Sequence, residues 1–192
     1  MIAILKYNAG NVKSVENAVR KLGYEVIITD DDKLLKSADK VIFPGVGEAA
    51  SAMKYLKERG IDEVIKSLQN PVLGICLGMQ LLCEHSEEGD TKGLGIFKTK
   101  VKKFPTENLV PHMGWNNFSF LNGELFQNVN LEDDCYFVHS YYAEICENST
   151  AFTDYILTFS AALQKDNFYA TQFHPEKSAD NGLQILKNFL QL

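Results

Sequence analysis

Short runs of β-branched residues alternate with stretches of helical periodicity through the first half of the chain, a pattern that predicts a parallel sheet covered by helices. Ile2 to Leu5 reads as the first strand. A turn at Asn8-Ala9-Gly10 follows. Asn11 is placed to cap a helix whose apolar positions Val12, Val15, Val19 and Leu22 recur at helical spacing and which Gly23 ends. Val26-Ile27-Ile28 and Val41-Ile42-Phe43 read as further buried strands, with Asp30-Asp31-Asp32 marking a turn and a short helix between them. Helices over about residues 48–59 and 61–68 lead to the strand Val72-Leu73-Gly74-Ile75, after which a new helical pattern opens at Cys76.

From about Leu94 the texture changes. Short strand-like pieces with turns at Pro105, Asn122-Gly123 and Asp133-Asp134 predict antiparallel additions, so the expected fold is α/β, a mixed and mainly parallel open sheet flanked by helices. Phe168 to Phe173 reads as one more buried strand, and Leu183, Leu186, Phe189 and Leu190 mark a terminal amphipathic helix. A length of 192 residues fits one domain, residues 1–192, with no linker or repeat.

Composition narrows the function classes. A formal charge of −6 argues against broad contact with nucleic-acid backbones, and the one basic run, Lys98 to Lys103, alternates as the solvated face of a strand would. The longest apolar stretch, Val72 to Cys83, is interrupted by Gly74, Gly78 and Gln80 and is too short to span a bilayer. The first residues lack the pattern of a secretory signal. Four cysteines without CxxC or Cys/His spacing predict no metal site and fit a reducing, cytoplasmic setting.

Gly74-Ile75-Cys76-Leu77-Gly78 places a thiol where a buried strand turns into a helix, with glycines where such a turn crowds its neighbours. The turn forces the central residue into a strained conformation that projects its side chain, and the start of a helix favours the thiolate. His174-Pro175-Glu176 follows the last predicted strand. Residues two apart in an extended segment point to one side, so the imidazole and carboxylate are expected to face one cleft, with Glu176 orienting His174. A histidine so held can take the thiol proton and later protonate a leaving amine, the division of labour that amide cleavage needs. The N–H of Leu77 and the loop Pro44-Gly45-Val46-Gly47, at the end of another predicted strand, are candidates for holding the oxyanion.

Together Pro44-Gly45-Val46-Gly47, Gly74-Ile75-Cys76-Leu77-Gly78-Met79-Gln80 and Phe173-His174-Pro175-Glu176-Lys177-Ser178 resemble the class I glutamine amidotransferases in order and spacing. Within that class, Gly10-Asn11, Pro111-His112-Met113-Gly114-Trp115-Asn116 and Tyr136-Phe137-Val138-His139-Ser140-Tyr141 are similar to signatures of the glutaminase subunits of imidazole glycerol phosphate synthases. The resemblance runs from Ile2 to Leu190. It implies a Cys76, His174 and Glu176 triad that passes through a γ-glutamyl thioester, an oxyanion hole from Val46, Gly47 and Leu77, and glutamine binding by Gln80, Glu88, Ser140 and Tyr141. It implies no cofactor.

The same resemblance implies a heterodimer partner, a barrel-shaped cyclase subunit, faced by Asn11, Met113, Trp115, Tyr136 and Lys177 and receiving ammonia for histidine biosynthesis. Rearrangement at Gly45-Val46-Gly47 would then couple hydrolysis to the liganded partner. Lys6-Tyr7-Asn8-Ala9 stands where many relatives carry Asp-Tyr-Gly, which leaves open a synthase that aminates a different sugar or nucleotide. A noncatalytic binding domain on the same fold is the alternative from another class.

Overall fold

A computed structural model of the chain describes residues 1–8, 11–106 and 109–192. Ala9 and Gly10, part of the expected first turn and of the Gly10-Asn11 signature, lie outside the described residues. The first half alternates β1 (Ile2–Leu5), α1 (Val12–Lys21), β2 (Val26–Thr29), α2 (Asp32–Ser37), β3 (Lys40–Gly45), α3 (Ala49–Glu58), α4 (Ile61–Ser67) and β4 (Val72–Cys76), followed by α5 (Leu77–Leu82). The second half contributes β5 (Cys83–Ser86), β6 (Thr91–Lys92), β7 (Phe97–Lys103), β8 (His112–Asn116), β9 (Phe120–Leu121), β10 (Cys135–His139), β11 (Tyr141–Ala143), β12 (Ser149–Asp154), β13 (Thr158–Lys165), β14 (Phe168–Thr171) and α6 (Ala179–Gln191).

In the main sheet β2, β1, β3, β4 and β14 lie side by side and parallel. β13 and β11 continue it antiparallel, and β7, β5 and β6 complete the far edge. β8 and β10 form a separate antiparallel pair, with Trp115 opposite Tyr136. The expected mixed, mainly parallel sheet with antiparallel additions is what forms.

The period-two geometry of a strand sends neighbouring residues to opposite faces, and the core divides accordingly. Ala3, Leu5, Val41 and Phe43 pack with Ala52, Met53 and Leu56 of α3 and Ile61 and Ile65 of α4. Ile2, Ile4 and Ile42 pack on the other face with Val15 and Val19 of α1 and Ile185, Leu186 and Phe189 of α6. A fully buried side chain such as Phe43 contributes roughly 2–3 kcal/mol of apolar burial.

β2 corrects the sequence reading. It was expected to be buried, yet Val26 and Ile27 are only partly covered and Ile28 is exposed, because β2 is an edge strand with one hydrogen-bonded neighbour. Lys98 and Lys100 alternate with buried Phe97, Thr99 and Val101 along β7, as the charge pattern predicts. Among the described residues no helix is long and apolar enough to cross a membrane.

Candidate active site

β3, β4 and β14 all end at the same edge of the sheet, and the chemistry-bearing loops leave from there. Cys76 closes β4 with φ 54° and ψ −109°, a region that costs an L-residue on the order of 1–3 kcal/mol. The neighbouring glycines make the turn possible. A Cβ on Gly78 would sit 1.9 Å from the Phe43 carbonyl oxygen, so β3 and the first turn of α5 can touch only if this residue has no side chain. Gly47, beside the candidate oxyanion position Val46, has φ 113°, again outside the range that other residues adopt readily.

His174 and Glu176 meet, but not in the way the sequence suggests. Pro175–Lys177 coil into a 3₁₀ turn with proline at its start, where a missing N–H costs nothing. That turn, rather than an extended segment, brings Glu176 Oε1 to 2.8 Å from His174 Nδ1. Ser178 locks the turn, donating to the His174 carbonyl at 2.6 Å while accepting the Tyr136 N–H at 2.9 Å.

Glu176 Oε1 also accepts the side-chain amide of Asn11 at 2.5 Å. Asn11 occupies the residue before α1 with φ 72° and makes no side-chain cap, so the expected helix-capping role is replaced by this bond to the carboxylate. His174 and the Glu176 side chain are almost completely buried. Burial alone would disfavour an imidazolium. The adjoining Cys76 and Glu176 outweigh it and raise the His174 pKa. Among the described residues His174 Nε2 has no well-aligned hydrogen-bond partner, although Cys76 is near enough to act on its charge.

A cavity of about 380 Å³ opens over this pair. Cys76 and His174 line it together with Val46, Gly47 and Leu77 and with Gln80, Glu88, Ser140 and Tyr141, so the residues expected around glutamine and the oxyanion converge on one space. Glu176 stands behind His174 and does not line it. The Glu88 carboxylate accepts the Ala49 N–H at 2.8 Å, and burial, then the nearby Glu48, raise its pKa against that bond.

The expected partner-facing residues form a surface of their own. Met113 is 63% and Trp115 55% exposed on β8. The Trp115 and Tyr136 ring centroids are 6.0 Å apart, and Lys177 Nζ lies 5.9 Å from the Tyr136 ring centroid. Asn11 joins them from the inside, through Glu176.

A sequence model of the family "Glutamine amidotransferase class-I" matches residues 3–192. The chain belongs to that family. This class-I glutamine amidotransferase is 59% identical to the imidazole glycerol phosphate synthase subunit HisH of Bacteroides fragilis over 194 residues, covering 100% of this chain and 99% of the relative. It is 47% identical to the subunit of the same name from Haemophilus influenzae, covering 99% of this chain and 96% of the relative. Among solved structures, that of PurLQS from Thermotoga maritima superposes with a TM-score of 0.74 at 16% identity, over 99% of this chain and 97% of that one, which shows the shared fold.

Two features of the amidotransferase site were not singled out from the sequence. One is a pair of buried histidines. His139 Nδ1 lies 2.7 Å from the Tyr141 carbonyl, which can only accept, so Nδ1 carries the proton. His139 Nε2 therefore accepts from His112 Nδ1 at 3.0 Å, and His112 Nε2 accepts from the Asn116 amide at 3.3 Å. Burial lowers the pKa of His112 to about 4; burial, reinforced by His112 and His174, lowers that of His139 to about 3, so the pair is neutral. The other feature is Gln172, a fully buried amide two residues before His174. Its only sequence signal is one polar amide closing the run Phe168-Tyr169-Ala170-Thr171.

Proposed function

We propose that this chain hydrolyses glutamine to glutamate and ammonia through a thioester on Cys76. It then passes the ammonia to a cyclase-type synthase subunit of imidazole glycerol phosphate synthase, in cytoplasmic histidine biosynthesis. The observation that carries the reading is the strained Cys76 sharing one cavity with His174, whose far nitrogen is held by a buried carboxylate.

His174 Nε2 takes the thiol proton, and the thiolate attacks the carbon of the glutamine side-chain amide. The carbonyl oxygen gains the negative charge, which N–H groups of the Val46-Gly47 loop and of Leu77, residues that line the cavity, receive. Imidazolium protonates the nitrogen as the C–N bond breaks, releasing ammonia. Water, deprotonated by His174, then cleaves the thioester, and the sulfur leaves. Glu176 keeps the His174 Nδ1 proton in place and offsets the imidazolium charge. Glu88, partly buried in the cavity wall, provides the negative charge that suits the α-ammonium of a free amino acid.

The partner would dock on Met113, Trp115, Tyr136 and Lys177, and Asn11, bonded to Glu176, supports coupling of that surface to the His174–Glu176 turn. The test is glutamate release from glutamine, with and without the nucleotide-liganded cyclase subunit. Weak turnover should rise sharply with the liganded partner and vanish in Cys76→Ala. Equal rates with and without the partner would remove the coupling, and turnover in Cys76→Ala would remove the mechanism.

A further inference from the structure

The mechanism above leaves Gln172 without a task, although it lies against the reacting sulfur. The orientation of its amide follows from the bonds around it. The Tyr141 carbonyl can only accept, so the Gln80 atom 2.9 Å from it is the amide nitrogen, Nε2. That same nitrogen is 2.9 Å from the Gln172 side chain, and because it donates, the Gln172 atom facing it is Oε1. Gln172 must then turn its own NH₂ the other way, where Nε2 lies 3.7 Å from Cys76 Sγ. The backbone is equally fixed, with the Gln172 N–H donating to the Ala161 carbonyl at 2.8 Å.

We infer that Gln172 is a further catalytic residue, donating an N–H···S hydrogen bond that stabilises the Cys76 thiolate, with Gln80 as the positioning residue that aims it. The inference rests on Cys76 being the nucleophile. A hydrogen bond to the charged form favours ionisation, and a neutral donor can supply it without displacing the imidazolium that forms on His174. The bond acts twice, because the thiolate that attacks glutamine is also the group expelled when the thioester is hydrolysed. It also restricts Gln80. Both hydrogens of its amide are engaged, one on Tyr141 and one on Gln172, so Gln80 can meet the substrate only as an acceptor through Oε1.

The test is the pH dependence of Cys76 alkylation by iodoacetamide, followed by mass spectrometry of the Cys76 peptide in the full chain. In Gln172→Met, which keeps the length and removes the donor, the midpoint should rise by about one pH unit. In Gln172→Glu, which sets a carboxylate beside the sulfur, it should rise further. With the synthase partner present, kcat of Gln172→Met should fall about tenfold while KM stays within about twofold. A folded Gln172→Met with an unmoved midpoint overturns the inference.

Should neither variant fold, the side-chain NH₂ resonances of Gln172 in the unmodified chain give the same answer. They should shift with the ionisation of Cys76, and resonances that stay fixed overturn the inference. Wild-type glutamine hydrolysis separates the two levels. Intact Cys76-dependent turnover with an unmoved midpoint removes only the role of Gln172. No turnover with a midpoint that still depends on Gln172 removes the glutaminase reading and leaves the thiolate contact standing.

Discussion

His112 and His139 are neutral because burial disfavours their charged forms, and the chain of bonds that ends on the Tyr141 carbonyl fixes which nitrogen carries each proton. Their cost appears only in acid. Above the ordinary histidine value near 6.5 both are uncharged in the folded and unfolded chain alike. Below it the unfolded chain takes up protons that the folded chain refuses until the pH reaches about 4 at His112 and about 3 at His139, so stability falls as the pH drops. His174 has the opposite sign. Its raised pKa gives a contribution that is complete below about 6.5 and is lost as the pH rises through the folded value, so the two effects occupy separate windows. Phenylalanine at 112 keeps the ring packing against Phe137 and Tyr155. Between pH 6.5 and 4 the wild type should therefore lose about 2–3 kcal/mol more than His112→Phe in urea unfolding, and equal losses would show that His112 carries no such linkage.

At the scale of elements, the elbow between β4 and α5 depends on a backbone contact that no side chain can share. Gly78→Ala should fail to accumulate as folded protein or lose several kcal/mol, read by denaturant unfolding, because the added carbon would meet the Phe43 carbonyl at 1.9 Å and that oxygen belongs to a central strand. An alanine variant as stable as the wild type would mean that the strand and helix can part. The elbow was legible in the sequence because glycine, thiol and flanking strand are neighbours along the chain. So were the alternating helices and strands, whose periodicity is local. The turn at Pro175–Lys177 was not, since proline suits both an extended residue and the first residue of a 3₁₀ turn, and only Asn11, bonded to Glu176, and Tyr136, bonded to Ser178, arrive from elsewhere to decide between them. Gln172 and the two histidines escaped for a related reason: Gln172 meets Gln80 and Cys76 from more than ninety residues away, and His112 meets His139 only through the pairing of β8 with β10.

For the whole molecule, the exposed face of β8 and β10 is where a partner would gain most. Met113 and Trp115 are large, apolar and open to solvent, and the tryptophan stands edge-on to Tyr136, whose N–H is bonded to Ser178 at the end of the His174–Glu176 turn. Trp115→Ala should weaken binding of the cyclase subunit by about thirtyfold or more in calorimetric titration, while the melting temperature of the free chain stays nearly unchanged. Unchanged affinity would move the interface elsewhere. The order of strands carries a different consequence. β4, which ends on Cys76, is flanked by β3 and by β14, and β14 comes from residues 168–171, more than ninety positions further along. The middle of the sheet therefore stays open until nearly the whole polypeptide has been synthesised, and the histidine follows only after that strand. A chain interrupted before Phe168 lacks both a central strand and His174, the base of the proposed mechanism. On the proposed mechanism, an incomplete product of translation would be unable both to close the middle of its sheet and to release ammonia that no synthase receives.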